Sequence, residues 1–184
     1  PNTVYYYHAY ATNAGGTAYG TQGSFTTVSS PTLSVSALTG FGNVCINTTA
    51  GPNSFTITGS NLTAANVTVA ALNGFTYSTT AGGTYTTTLS LTQPGGSYSQ
   101  QIFVKFDPTL VQSYNGNIAV GGGGATSVNA AATGAGVNSV PTVTTGAASA
   151  ITTVSATLAG TIPSNGCSAV TAYGVEYSTT AGFP

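Results

Sequence analysis

Apolar and polar residues alternate along this chain with a period of two, and no helical periodicity competes with it. Leu33 to Ala37 reads L-S-V-S-A, Ser54 to Thr58 S-F-T-I-T, and Asn66 to Ala70 N-V-T-V-A. Gln101 to Phe106 reads Q-I-F-V-K-F and Asn117 to Val120 N-I-A-V. Each stretch puts its apolar side chains on one face and its polar ones on the other, with Gly, Pro and Asn turns between. Many short strands at such spacing predict an all-β fold, an antiparallel sandwich or barrel.

Two segments interrupt the alternation. Val28-Ser-Ser-Pro-Thr32 and Val137-Asn-Ser-Val-Pro-Thr142 each close a strand-like stretch and open another with Pro-Thr. Both read as interdomain linkers. They isolate a middle block, residues 31–137, about the size of one immunoglobulin-like sandwich. A front piece, 1–28, and a back piece, 141–184, flank it. Neither is long enough for a complete sandwich, and half of one would expose sheet edges and an apolar face.

The front piece opens with a Pro1-Asn2-Thr3 turn. Tyr5 is expected at a tyrosine corner, with Tyr7, Ala9 and Ala11 in its phase facing the core. Tyr6, His8 and Tyr10 fall on the other face. Asn13-Ala-Gly-Gly is a loop, and 20–27 is a last strand. In the back piece PTVTT, SATLAGTI and TAYGVEYSTT are expected as strands A, B and C, with the loop PSNGCSAV before the third. The phrases YYYHAYATNAGGTAYG and SAVTAYGVEYSTT resemble the F–G and the A–B–C strands of a fibronectin type III-like domain. The middle stretch LSVSALTGFGNVCINTTAGPNSFTITGSNLT, with its L-x-V-x-x-L-x-x-F-G-N-V opening, resembles an Ig-like (ASH-like) repeat. VKFDPT and YNGNIAVGGGGATSVNAAATG resemble its F–G hairpin region and closing strand. Together they are similar to the tandem repeats of large secreted surface or filament proteins of Bacteroidota-type bacteria. The resemblance implies one complete Ig-like domain between two partial fibronectin type III-like ones. The missing middle strands of the partial domains imply a window on a longer tandem array, or completion by another subunit in a polymer.

Composition then narrows the function classes. Charged residues make up 2% of the 184 residues, against about a quarter in an ordinary domain. A surface of Thr, Ser, Asn, Gln and Gly follows. With 11 Tyr, 7 Phe and many β-branched residues, the chain is no disordered tract. A formal net charge of −1 gives nucleic acid or anionic lipid nothing to pair with. No apolar run reaches the ~20 residues of a membrane span. The composition suits an extracellular or cell-surface protein. The sequons at Asn47, Asn61 and Asn66 are explained by chance in so Asn- and Thr-rich a chain.

Catalysis needs titratable groups that converge. His8, Asp107 and Glu176 lie in three different blocks, and His8 reads most simply as a surface strand residue. No clustered carboxylates suggest calcium, no zinc spacing exists, and Gly121 to Gly124 lacks the Lys and helix of a phosphate loop. It reads as a hairpin turn or bulge. No cofactor and no enzymatic activity are expected. The repeated YSTTAG at 77–82 and 177–182 is a strand end running into a turn in both places.

Two features remain. Cys45 and Cys167 sit one in the middle block and one in the back piece. In the Ig-like topology, Cys45 follows a strand that runs toward the C-terminal end of its domain. Cys167, in the B–C loop, lies at the N-terminal end of the next. Both then point to one junction, and a disulfide stapling residues 137–141 is expected. Two free thiols, or pairing with another chain, are the alternatives. The stripe Tyr6, His8, Tyr10, with Tyr19, is the best candidate ligand surface, because tyrosine rings can stack on sugars. Cross-strand packing on a solvent face accounts for it more simply.

The expected function is a structural segment of an extracellular rod or filament, such as an adhesin stalk. Its partners would be neighbouring copies or domains of the same protein. The main alternative is a module binding glycans or a host surface. An accessory region of a secreted enzyme would need a catalytic part elsewhere. A Thr-rich ice-binding or amyloid-like fibre is disfavoured by the irregular strand spacing.

Overall fold

The computed structural model describes residues 1–182; Phe183 and Pro184 of the back piece lie outside the described residues. The chain is all-β, with no helix among the described residues.

The front piece holds β1 (Val4–Tyr7), β2 (Tyr10–Asn13), β3 (Gly16–Tyr19) and β4 (Gly23–Thr26). They form one long antiparallel hairpin with a break halfway. β1 pairs with β4 at the base and β2 with β3 at the tip. The Gly20 amide donates to the Ala9 carbonyl across the break at 2.8 Å. At the tip the Asn13 side-chain oxygen accepts from the Gly15 amide at 2.8 Å, the local bond that makes Asn a turn former.

The middle block carries β5 (Thr32–Val35), β6 (Asn43–Cys45), β7 (Ala50–Leu62), β8 (Val67–Val69), β9 (Phe75–Ser78) and β10 (Leu89–Leu91). It continues with β11 (Gly96–Phe106), β12 (Gln112–Ser113), β13 (Gly116–Gly122), β14 (Ala125–Ala132) and β15 (Ala135–Val137). Two four-stranded sheets result, ordered β5-β7-β11-β9 and β10-β8-β13-β14. Their edge strands β5 and β14 run close together. The β12 and β15 pair prolongs the β13–β14 hairpin beyond a kink, where the Tyr114 amide donates to the Gly134 carbonyl at 2.9 Å. The first edge of the block switches sides: β5 lies antiparallel to β7, whereas β6 lies parallel to β15.

Alternation explains the core. Phe55 and Ile57 of β7, Ile102, Val104 and Phe106 of β11, and Phe75 and Tyr77 of β9 point inward from one sheet. Val67 and Val69 of β8, with Ile118 and Val120 of β13, meet them from the other. Burying each of the larger side chains contributes about 1.5–3 kcal/mol. Phe75 stacks on Phe106 at 4.9 Å between centroids, and Phe41 and Tyr114 close over Phe106 at 5.6 and 5.3 Å. Every buried hydrophobic residue of the described chain falls between Leu33 and Ala132.

Gln93 and several surface hydroxyls find their partners locally. Gln93, only 4% exposed, donates through its amide to the Thr63 and Ala65 carbonyls and accepts from the Gly95 amide at 2.6 Å. That fixes the loop between β7 and β8. On the solvent faces, hydroxyls pair across strands: Thr12 with Thr17 at 2.8 Å, Thr32 with Ser60 at 2.8 Å, and Ser34 with Thr58 at 2.6 Å. Gly121 and Gly122 end β13, and Gly123 and Gly124 make the turn into β14 with φ of +59° and +76°.

The back piece forms β16 (Thr142–Thr145) and β17 (Gly160–Ser164), paired antiparallel. It differs from expectation in two ways. The strand expected from Ser155 becomes regular only at Gly160: Ser155 and Val154 donate their amides to the Thr152 hydroxyl in a side-chain turn, at 2.9 and 3.2 Å, and Thr157 makes only an isolated bridge with Ser149. The expected third strand over 171–180 does not form. It has no ladder partner among the described residues, and an unpaired extended segment is not a strand.

Candidate functional site

On the front hairpin, phase decides which rings meet. Tyr5 pairs with Phe25 across the β1–β4 ladder and stacks on it at 5.3 Å; Tyr7 approaches the same ring at 6.4 Å and lies over Gly23, its own cross-strand partner. These rings were expected to face a core. They are 51% and 60% exposed, because no second sheet among the described residues covers a two-stranded ribbon.

On the tip, Tyr10 lies opposite Tyr19 in the β2–β3 ladder, with ring centroids 6.2 Å apart. His8, in the break, adds its imidazole to Tyr19 at 5.4 Å. The structure therefore gathers His8 and Tyr10 on Tyr19. Tyr6, on β1, is exposed and is not in ring contact with that group. A shallow groove lies at the hairpin turn itself, lined by Ala11, Thr12, Asn13, Gly16 and Thr17, and none of the three rings lines it.

The tyrosine-corner geometry occurs at a residue not singled out from sequence. Tyr114 precedes β13, and its hydroxyl accepts from the Thr109 and Leu110 amides at 3.1 and 2.9 Å. The Thr109 hydroxyl and then these two amides hold its pKa below the ordinary tyrosine value, against the opposing effect of burial. The visible signal was a Tyr placed after the Asp107-Pro108 bend and just before Asn115-Gly116.

The second site is the junction between the middle block and the back piece. Cys45, at the end of β6, is joined to Cys167 by a disulfide with Cα atoms 5.4 Å apart. Both residues are half-buried. The Cys167 amide donates to the Ser139 carbonyl at 2.9 Å, and the Ser139 amide points at the Cys167 sulfur at 3.2 Å. Gly166 takes φ of +70°, and a Cβ there would collide with the Ser139 carbonyl and the Val140 backbone. Only glycine meets both demands.

Cys45 is itself positioned. The Thr48 amide donates to the Cys45 carbonyl at 3.2 Å, closing a turn, and the Asn47 amide donates to the Pro108 carbonyl at 2.8 Å. Beside it, the Asp107 carboxylate accepts from the Thr49 hydroxyl at 2.5 Å and the Thr76 hydroxyl at 3.1 Å. Such a disulfide belongs in an oxidising environment.

The remaining chemistry-bearing groups stay apart. Asp107 is held by its threonines, and Lys105 lies over the Tyr85 ring at 4.3 Å. Glu176 sits in the unpaired segment of the back piece. Among the described residues no three of His, Cys, Asp and Glu gather as metal ligands. The sequon residues are exposed; Asn66 donates to Ser90 at 2.9 Å, and Asn47 and Asn61 adopt positive φ. No protein-family model matches the chain, and no curated protein matches it.

Proposed function

We propose that this chain is a structural repeat segment of an extracellular rod or filament, an adhesin stalk or surface fibre, with no catalytic activity of its own. The observation that carries the reading is the Cys45–Cys167 bridge, which ties the middle block to the next piece across a short Pro-containing linker. Such a clamp suits a stiff tandem array. The strand orders support an Ig-like identity for the middle block. β5-β7-β11-β9 corresponds to an A-B-E-D sheet and β8-β13-β14 to C-F-G, with β10 as an added edge. The flanks are then fibronectin type III-like, in the manner of the secreted Bacteroidota-type repeats that the sequence resembles, and the neighbouring domains or copies are the partners.

Small-angle scattering of the chain tests this. A compact 184-residue protein has a radius of gyration of roughly 16 Å. A value well above that, with a rod-like cross-section, is expected. A compact sphere would overturn the reading.

One observation favours a second reading, a glycan- or surface-binding module. His8, Tyr10 and Tyr19 present exposed rings together on the hairpin tip, the arrangement that sugar stacking needs. Glycan-array binding lost on Tyr19→Ala, with the disulfide and fold retained, is its test.

A further inference from the structure

We infer that the disulfide diverts tension around the middle sandwich, so that the chain can be pulled from its ends without unravelling the core. The argument is one of connectivity. Cys45 and Cys167 are separated by 122 positions, and every strand from β7 to β17 lies inside the loop that they close. A force applied at the two ends runs from residue 1 to Cys45, crosses the sulfur–sulfur bond, and continues from Cys167. Residues 46–166 are not on that path. They hold all the buried hydrophobic residues except Leu33.

Only one part of the sandwich feels the force directly, the segment 32–45 that contains β5 and β6. It is built to resist. It runs from Pro31, packed beside the Gly124 hairpin, to Cys45 opposite Val137 at the far end of the block. Its ladder includes bonds from Ser36 to the Thr56 carbonyl and from Phe41 to the Thr133 carbonyl, both at 2.9 Å. Ala135 donates back to the Gly42 carbonyl at 2.9 Å, and Ile46 donates to the Val137 carbonyl at 2.9 Å. The Thr32–Ser60 and Ser34–Thr58 hydroxyl pairs add side-chain links along the same line. Because the strand lies along the pull, these bonds share the load in shear rather than opening one after another. β6 also bonds to β15, next to the linker, so the stressed segment is anchored to the β5–β7 sheet at one end and to the small β12-β15-β6 sheet at the other. The biological use of this bypass rests on the rod reading; the bypass itself does not.

Single-molecule force spectroscopy on the full chain, with handles at its two ends, tests the inference. An extended residue spans about 3.3–3.6 Å, so the 122 positions enclosed by the bridge amount to about 400 Å of contour. The oxidised chain is expected to lack that length at every force below rupture of a covalent bond. A dithiol reductant, giving two electrons and two protons to form two thiols while closing its own disulfide, restores it. The Cys45→Ala/Cys167→Ala double variant restores it without reductant. An oxidised trace that releases the full 400 Å overturns the inference, whatever the variant does. A compact scattering profile with the oxidised trace still short would defeat the rod and leave the bypass standing.

Discussion

The Tyr114 hydroxyl accepts the Leu110 amide at 2.9 Å while its ring packs edge-on against Phe106, so one side chain ties the bend before β13 to the aromatic end of the core. Tyr114→Phe keeps the ring and removes the acceptor from two amides. A loss of about 1–2 kcal/mol is expected. Denaturant unfolding with an unchanged slope would measure it; no loss would show that water serves those amides equally well.

Tyr77 makes the opposite case. It is 0% exposed, and its hydroxyl has no hydrogen-bond partner. Burial pushes its pKa up to about 12; the nearby Leu72 backbone tempers the shift without forming a bond of ordinary geometry. The folded form therefore keeps a proton that the unfolded chain loses near pH 10. Stability is whole below that pH and falls by roughly 1.4 kcal/mol per unit between 10 and about 12. Tyr77→Phe should be neutral or stabilising at pH 7 and should remove that slope. A variant with the wild-type slope would assign it to other tyrosines.

Gln93 bonds to two carbonyls of the loop between β7 and β8 and to the Gly95 amide of its own loop between β10 and β11. Gln93→Ala strands all three. The expected cost is about 2–3 kcal/mol, with faster amide exchange at Gly95. Exchange unchanged at Gly95 would contradict the clamp.

Gly166→Ala strikes the junction instead. The added Cβ meets the Ser139 carbonyl at a positive φ. Oxidative refolding should leave more free thiol at Cys45 and Cys167, while unfolding of the middle block changes little under reducing conditions. Wild-type thiol levels would show that the linker can yield.

How much of this was legible follows from what each feature depends on. β7, β8, β11 and β13 were visible because alternation is local and their inward faces meet a real second layer. The expected strand over 171–180 has the same alternation and does not form, since a ladder needs a partner that pattern alone does not supply. Pattern alone points to Tyr5 for the corner, yet the corner bonds form at Tyr114. The distinction lies in which tyrosine finds free amides in the preceding bend, a matter of backbone path rather than residue type. At the junction, topology could send Cys45 and Cys167 to one end of the block. The contact of Gly166 with Ser139 depends on the path of the linker, which residue types do not encode. Tyr6 shares the phase of His8 and Tyr10, but the break in the hairpin separates it from their ring group.

The hydroxyl pairs across the solvent faces have one more consequence. Thr12–Thr17, Thr32–Ser60 and Ser34–Thr58 hold strands together with neutral groups, where most proteins would place ions. Dissolved salt weakens exposed charge pairs within a Debye length of about 8–10 Å. Here there is almost nothing to weaken. Charge screening should therefore cost the molecule almost no stability between fresh water and brine, so any change with salt reports on apolar burial instead.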